Sequence, residues 1–275
     1  MATIFDKNYD MILPVGCGCP TSIALGYCRM RFVSSPFDWI RVPDITTPAQ
    51  LLAQRMERFM EVEDLEIEGE NADHLRVVNN RWGWLSVHDF PIDKPLAEGA
   101  SIAMQKYGRR ISRMLERLDA GCSVLLLWMD YPAEEQVQEI SLLEAALKQI
   151  QQAYPQSQFS LLYLHNHDRL SYEMRQETHH AEDLCSIQFC YNAADPVREI
   201  DAHDALLAAV FKRVRLGNKF ADPKSYRRYE RFTRNVGEQE AEWLERWNFS
   251  RNLAKLIMKK RFVWKICRLL YTLSK

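Results

Sequence analysis

Much that would identify a protein at sight is missing from this sequence. No Cys-x-x-Cys pair occurs among its seven cysteines, and the nearest pairs, 17/19 and 185/190, lack the usual spacing of zinc ligands. An odd cysteine count without small-domain spacing argues against a disulfide framework and points to a reducing cytoplasm. The opening MATIFDKNYD has neither a basic n-region nor an apolar h-region, so it does not read as a signal peptide. No apolar run reaches the length of a transmembrane helix. Carboxylates crowd the stretch from Glu61 to Asp73, but without the spacing of a calcium loop. No Asp or Glu stands at the helical spacing of known zinc motifs either, so neither a metal nor a cofactor is expected. A recognised nucleic-acid motif is also absent.

What is present is an ordinary globular composition with an uneven charge. With 275 residues, 47% apolar and 27% charged, the chain can bury a full core as one domain or one domain plus an appendage. Its net charge is −1, yet from Phe211 onward 18 Lys/Arg face 6 Asp/Glu, while the first 210 residues hold 18 against 31. The two parts carry +12 and −13. Such a split turns the C-terminal quarter toward phosphates, an anionic membrane or the acidic body itself. Residues 1–217 read as an α/β domain and 218–275 as a basic, aromatic-rich helical extension.

Within that extension Lys224, Arg227, Arg228, Arg231 and Arg234 interleave with Tyr226, Tyr229 and Phe232. Further on, an apolar stripe at Phe262, Ile266, Leu269, Leu270 and Leu273 runs beside Arg261, Lys265 and Arg268. An interfacial helix lying on an anionic membrane uses this pattern, and Arg261, Lys265 and Arg268 are its candidate contacts. A terminal helix docked on the domain would show the same stripe. Nucleic acid ranks third as a partner.

The stretch Leu13 to Ile40, LPVGCGCPTSIALGYCRMRFVSSPFDWI, organises the rest. It offers a buried-strand run, a glycine-spaced turn with two cysteines, a short amphipathic segment and a Pro-Phe-Asp-Trp block. Gly16 and Gly18 allow a tight turn, and Pro20 suits the first helical position. Cys19 then stands at or next to a helix N-cap, where free N–H groups and the helix dipole should acidify its thiol. Cys17 lies on the turn itself, and Cys28 reads as a small core residue.

This segment resembles a bacterial family of unknown function described as papain-like cysteine peptidases. Gly16, Cys19, Ser34, Pro36, Phe37, Asp38 and Trp39 carry the resemblance. His88-Asp89-Phe90 and Lys106 to Arg113 extend it over roughly the first half of the chain. The resemblance implies a thiol nucleophile at Cys19 and a histidine base at His88.

Elsewhere the reading is of alternating elements. Helices are expected over Thr47–Glu61, Ile102–Leu118, Glu135–Ala153 and Ala202–Leu216. Strands are expected over Ser123–Met129, Phe159–Leu164 and Leu184–Tyr191, and a hairpin over Leu75–Phe90 with His88 near its end. Asp130, closing an apolar strand, could orient His88 or cap the next segment, and Asp89 is the other candidate to orient it. His165-Asn166-His167-Asp168 is a rival source of a base, while His179 and His180 fall on a loop or helix. Arg109 and Arg113, one turn apart, form an anion cradle near the thiol or a solvated basic face.

The alternation argues for an α/β three-layer core, with a central mixed or parallel sheet and helices on both faces. The resemblance favours the alternative, a papain-like α+β arrangement. Functionally the sequence points to a cytoplasmic cysteine hydrolase or acyltransferase acting on a peptide, small-molecule or acyl-bearing substrate. Cys19 attacks, His88 moves the proton, Asp130 or Asp89 orients it, and Gly16, Gly18, Asp38, Trp39, Arg109 and Arg113 line the substrate site. The basic tail at the inner membrane face suits transfer onto a surface-glycan or lipid precursor. The rival reading is a non-catalytic protein that binds phosphate-rich partners or anionic membrane through its C-terminal region.

Overall fold

The computed structural model describes residues 2–16, 18–130, 138–168, 173–190 and 208–234. A two-residue β1, Asn8–Tyr9, precedes β2 (Met11–Pro14), α1 (Cys19–Tyr27), β3 (Ile40–Arg41) and α2 (Thr46–Ala53). Then come β4 (Leu65–Asn71), β5 (His74–Asn79), β6 (Leu85–Pro91), α3 (Leu96–Asp119), β7 (Ser123–Met129) and α4 (Ile140–Ala153). The chain continues through β8 (Gln158–Asp168), β9 (Glu173–Ala181), β10 (Leu184–Cys190), β11 (Arg215–Leu216) and α5 (Pro223–Arg234). The chain divides into two compact units, Met1–Glu230 and Arg231–Lys275.

Two larger sheets carry the first unit. In the order β2-β7-β8-β10-β9 the first four strands run parallel and β9 returns antiparallel. Short apolar runs are what a parallel strand needs when both of its faces are covered, and β7 is buried from Val124 through Met129. Val124, Leu126 and Trp128 join one core with Tyr107 and Ile111 of α3 and Leu143 and Ile150 of α4. The alternate residues Leu125 and Leu127 are also buried, as are Ala24 and Leu25 of α1 and Cys28 at its C-cap. Helices therefore cover both faces, and the α/β reading holds.

The second sheet, β3-β6-β5-β4, is antiparallel throughout. Its β5–β6 hairpin turns where Asn79 Oδ1 accepts Trp82 N (2.7 Å) and Gly83 adopts a φ of 69°. The acidic stretch supplies its edge strand β4, whose side chains are mostly exposed, as suits an edge kept from further pairing by charge. Trp84 is fully buried against Phe59, with ring centroids 5.2 Å apart.

Some boundaries differ from the sequence reading. Helix α2 ends at Ala53, and the residues beyond it turn, with Arg55, Met56 and Arg58 at positive φ. The stretch holding His179 and His180 is strand β9, not a loop or helix. Among the described residues it pairs only with β10, and its largely polar sequence carries no apolar alternation to mark it as a strand. The tail with Arg261, Lys265 and Arg268 lies outside the described residues, as does Cys17. Among the described residues no helix is long and apolar enough to cross a membrane.

Candidate active site

The thiol turn is built where β2 leaves the sheet. Val15 N donates to Leu127 O (3.0 Å), and the chain then turns away. A Cβ on Gly16 would stand 2.2 Å from the Trp128 indole, so only glycine lets the backbone lie this close. Gly18, the N-cap of α1, has φ 69°, the left-handed region that side chains disfavour. Cys19 is the first helical residue and is half-buried.

That placement does not acidify the thiol. Burial pushes the Cys19 thiol above its ordinary value, and the Asp89 carboxylate pushes the same way. Its own backbone N–H and the Arg41 guanidinium pull it down, but by less. Desolvation thus outweighs the helix N-terminus, which is the reverse of the sequence expectation. Arg41 is beside the turn because its Cγ packs 3.2 Å from where a Gly18 Cβ would stand. Cys28 is a core residue as expected, its thiol pushed up to about 12 by burial.

The segments that carry the family resemblance converge on this helix end. Asp38 is completely buried. Its carboxylate accepts Ser22 Oγ of α1 (2.8 Å) and Ser35 N (3.0 Å), and it pairs with Arg31. Asp38 thereby fastens the Pro-Phe-Asp-Trp loop to the thiol helix, and its oxygens are engaged within the protein. Trp39 is half-buried, with the Arg31 guanidinium 5.7 Å from its ring centroid. From β6, Asp89 accepts Ser86 Oγ (2.8 Å) and Tyr107 Oη (2.6 Å) and pairs with Lys106. Tyr107 is deeply buried, which raises its hydroxyl well above the ordinary range, and Asp89 adds to the effect.

His88 faces elsewhere. It is exposed on the antiparallel sheet, edge-on to His74 with centroids 6.4 Å apart. His74 in turn holds Asp73 (2.7 Å). Among the described residues, Asp89 and Arg41 act on the thiol and His88 does not. Asp89 is thus within electrostatic reach of the Cys19 thiol, while the His88 imidazole is exposed beside His74.

Asp130 follows β7 and meets the turn through an indole. Trp128 Nε1 donates to its Oδ1 (3.0 Å) and Tyr163 Oη to its Oδ2 (2.6 Å), while burial raises the carboxyl to about 6. The same Trp128 ring lies against Gly16. His165 stacks on Tyr163, with centroids 4.7 Å apart, so the rival histidine stands with Asp130 at this edge. The open ends of parallel strands commonly hold ligands, and this edge carries both the thiol turn and the Asp130 network.

On α3, Arg109 and Arg113 are exposed, and Arg113 Nε donates to Arg109 O (3.0 Å). Arg113 also lines a small crevice with Ser34, Ser35 and Arg117. Arg110 turns inward instead, its guanidinium 5.5 Å from the Tyr107 ring centroid and its Nη1 buried without a hydrogen-bond partner among the described residues. Sequence reasoning assigned no role to Arg41, Lys106, Tyr107 or Arg110. Tyr107 shows in the sequence as part of the Lys106 to Arg113 run that extends the resemblance, and its hydroxyl acquires a task once β6 packs there.

One potential metal-ligand group occurs among the described residues. Glu177, His179 and Cys185 place ligand atoms within 4.8 Å of one another. Arg213 grips Glu177 through both terminal nitrogens (2.5 and 2.9 Å), and His179 Nε2 lies 2.8 Å from the same carboxylate. The carboxylate's charge is already answered by a guanidinium, which suits an ion pair better than a cation site.

Comparison with known proteins agrees with the motif reading. The chain is 24% identical over 139 residues to uncharacterized protein R408 of Acanthamoeba polyphaga mimivirus. The match covers 44% of this chain and 62% of that viral protein's length. No solved structure matches. Residues 10–169 match a family described as "Putative papain-like cysteine peptidase (DUF1796)". On this match, which spans the thiol turn, the Asp38 loop, Asp89 and Asp130, the chain belongs to that family.

Proposed function

We propose that the protein is a cysteine-dependent acyl hydrolase or transferase in which Cys19 attacks an activated carbonyl, that of an ester or thioester. The observation that carries this reading is the surroundings of the thiol. Cys19 opens a helix on a turn that requires glycine, and the charges of Asp89 and Arg41 act on its thiol. Amide cleavage needs a proton donor for the departing amine, commonly an imidazole beside the thiol, and among the described residues no imidazole acts on the Cys19 thiol. An alkoxide or thiolate of low basicity departs without that help.

In this scheme the Cys19 Sγ–carbon bond forms as the carbonyl electrons move onto oxygen. The backbone N–H groups of the first turn and the Arg41 cation stabilise that oxyanion. Its collapse breaks the bond to the leaving oxygen or sulfur, which departs with the electron pair. The thiol proton passes to solvent or to the leaving group. Water, or a hydroxyl or amine acceptor, then adds to the thioester, releases the acyl group and restores the thiol.

The test compares p-nitrophenyl esters with the matching p-nitroanilides, using wild type and Cys19→Ala, with mass spectrometry for an acyl adduct. Ester turnover and an adduct on Cys19, both lost in Cys19→Ala, with anilides left intact, support the proposal. Comparable turnover of anilides would replace it with a peptidase. Ester turnover that survives Cys19→Ala would remove the thiol from the reaction.

A further inference from the structure

Helix α5 carries cations that no carboxylate among the described residues answers. Its sequence, PKSYRRYERFTR, is amphipathic: Tyr229 is buried, and Tyr226 packs between Phe32 and Tyr229, with centroids 6.2 and 5.8 Å away. Opposite them Lys224, Arg227 and Arg228 are exposed at spacings of three and four residues, which places them on one face. None of the three meets a carboxylate among the described residues. Asp222, the acid of the first turn, is committed to the helix start, accepting Lys224 N and Ser225 N (3.0 Å each). Like charges one turn apart destabilise an isolated helix, so a face kept this way suits an external anion.

We infer that this face docks the protein on an anionic lipid surface. Three observations select lipid over other polyanions. Single-stranded nucleic acid is held by cations together with exposed aromatic rings on which bases stack, and the tyrosines here point inward. The first 210 residues carry −13 and the remainder +12, so attraction to an anionic surface falls to the C-terminal residues and not to the chain as a whole. Beyond Glu230 the chain has 45 further residues with 11 Lys/Arg against 4 Asp/Glu. Their sequence includes the apolar stripe of Phe262, Ile266, Leu269, Leu270 and Leu273, which is the composition of an interfacial segment. The α5 face supplies the electrostatic part of binding, and each cation near such a surface is worth about fivefold in partition.

The test is co-sedimentation of the full chain with vesicles of phosphatidylcholine alone and of phosphatidylcholine mixed with phosphatidylserine, at low and high salt. Binding is expected only to the mixed vesicles and should weaken as salt rises. The triple variant Lys224→Gln, Arg227→Gln, Arg228→Gln should lose on the order of a hundredfold in partition. The variant Arg227→Lys, Arg228→Lys should keep it, because the charge is unchanged. Equal partition of the triple variant and wild type would overturn the assignment, as would binding to neutral vesicles. Tighter binding to an oligonucleotide, dependent on the same three residues, would assign the face to nucleic acid instead.

Discussion

At the scale of single residues the thiol is governed by charge and burial. Asp89 is the neighbouring anion that raises Cys19, so Asp89→Asn should lower the pH at which Cys19 becomes reactive. Iodoacetamide labelling read cysteine by cysteine across pH measures this, and His88→Ala should leave the Cys19 curve in place. A His88→Ala curve displaced as far as that of Asp89→Asn would mean the imidazole reaches the thiol in solution. Asp130 makes a second prediction. Its folded pKa of about 6 lies above the ordinary carboxyl value, so the protonated form favours the fold. The contribution is complete below about pH 4, is lost as pH rises through about 6, and amounts to about 3 kcal/mol. Urea midpoints should fall across that window in wild type and stay level in Asp130→Asn.

Elements are held by a few buried contacts that can be tested individually. Asp38 joins the loop after α1 to the helix itself, and its loss strands Arg31 and Ser22. Breaking a buried pair from one side costs about 3 kcal/mol or more, so Asp38→Ala should show that loss in urea unfolding. Gly16→Ala drives a methyl into the Trp128 ring. Overpacking of this kind costs about 1–3 kcal/mol. Because Trp128 also holds Asp130, the substitution should shift the tryptophan emission and the pH dependence described above. An unchanged emission spectrum would mean that the turn yields and the indole does not.

For the whole molecule, the thiols and the charge decide what can be measured. Cys19, Cys28, Cys122 and Cys185 are all free. Each should therefore alkylate in a denatured sample that has never met a reductant, and of these four only Cys19, half-buried, should alkylate readily in the native state. Burial pushes Cys28 and Cys185 up to about 12 and raises Cys122 as well. A native sample in which Cys28 or Cys185 labels as fast as Cys19 would show the core opening rather than a selective thiol. The chain divides its charge along the sequence, −13 in the first 210 residues and +12 in the rest. Its approach to a charged surface should therefore depend on salt.

The sequence by itself determined the elements whose signal is local. The apolar run Ser123–Met129 became β7 with the expected ends, because a strand buried on both faces needs an unbroken apolar run. The glycine-spaced turn into the Cys19 helix was legible because a positive φ and a close backbone approach both require glycine. Strand β9 was not legible, since an edge strand is defined by its neighbour and not by its own alternation. The surroundings of the thiol were decided only by tertiary structure. His88 and Asp89 are adjacent in sequence, one read there as the base and the other as a candidate to orient it, yet one is exposed beside His74 and the other is buried beside Tyr107. Arg41 and Lys106 came to the site from β3 and α3. Local periodicity cannot report such placements, because they depend on how a second sheet and a long helix pack around the end of α1.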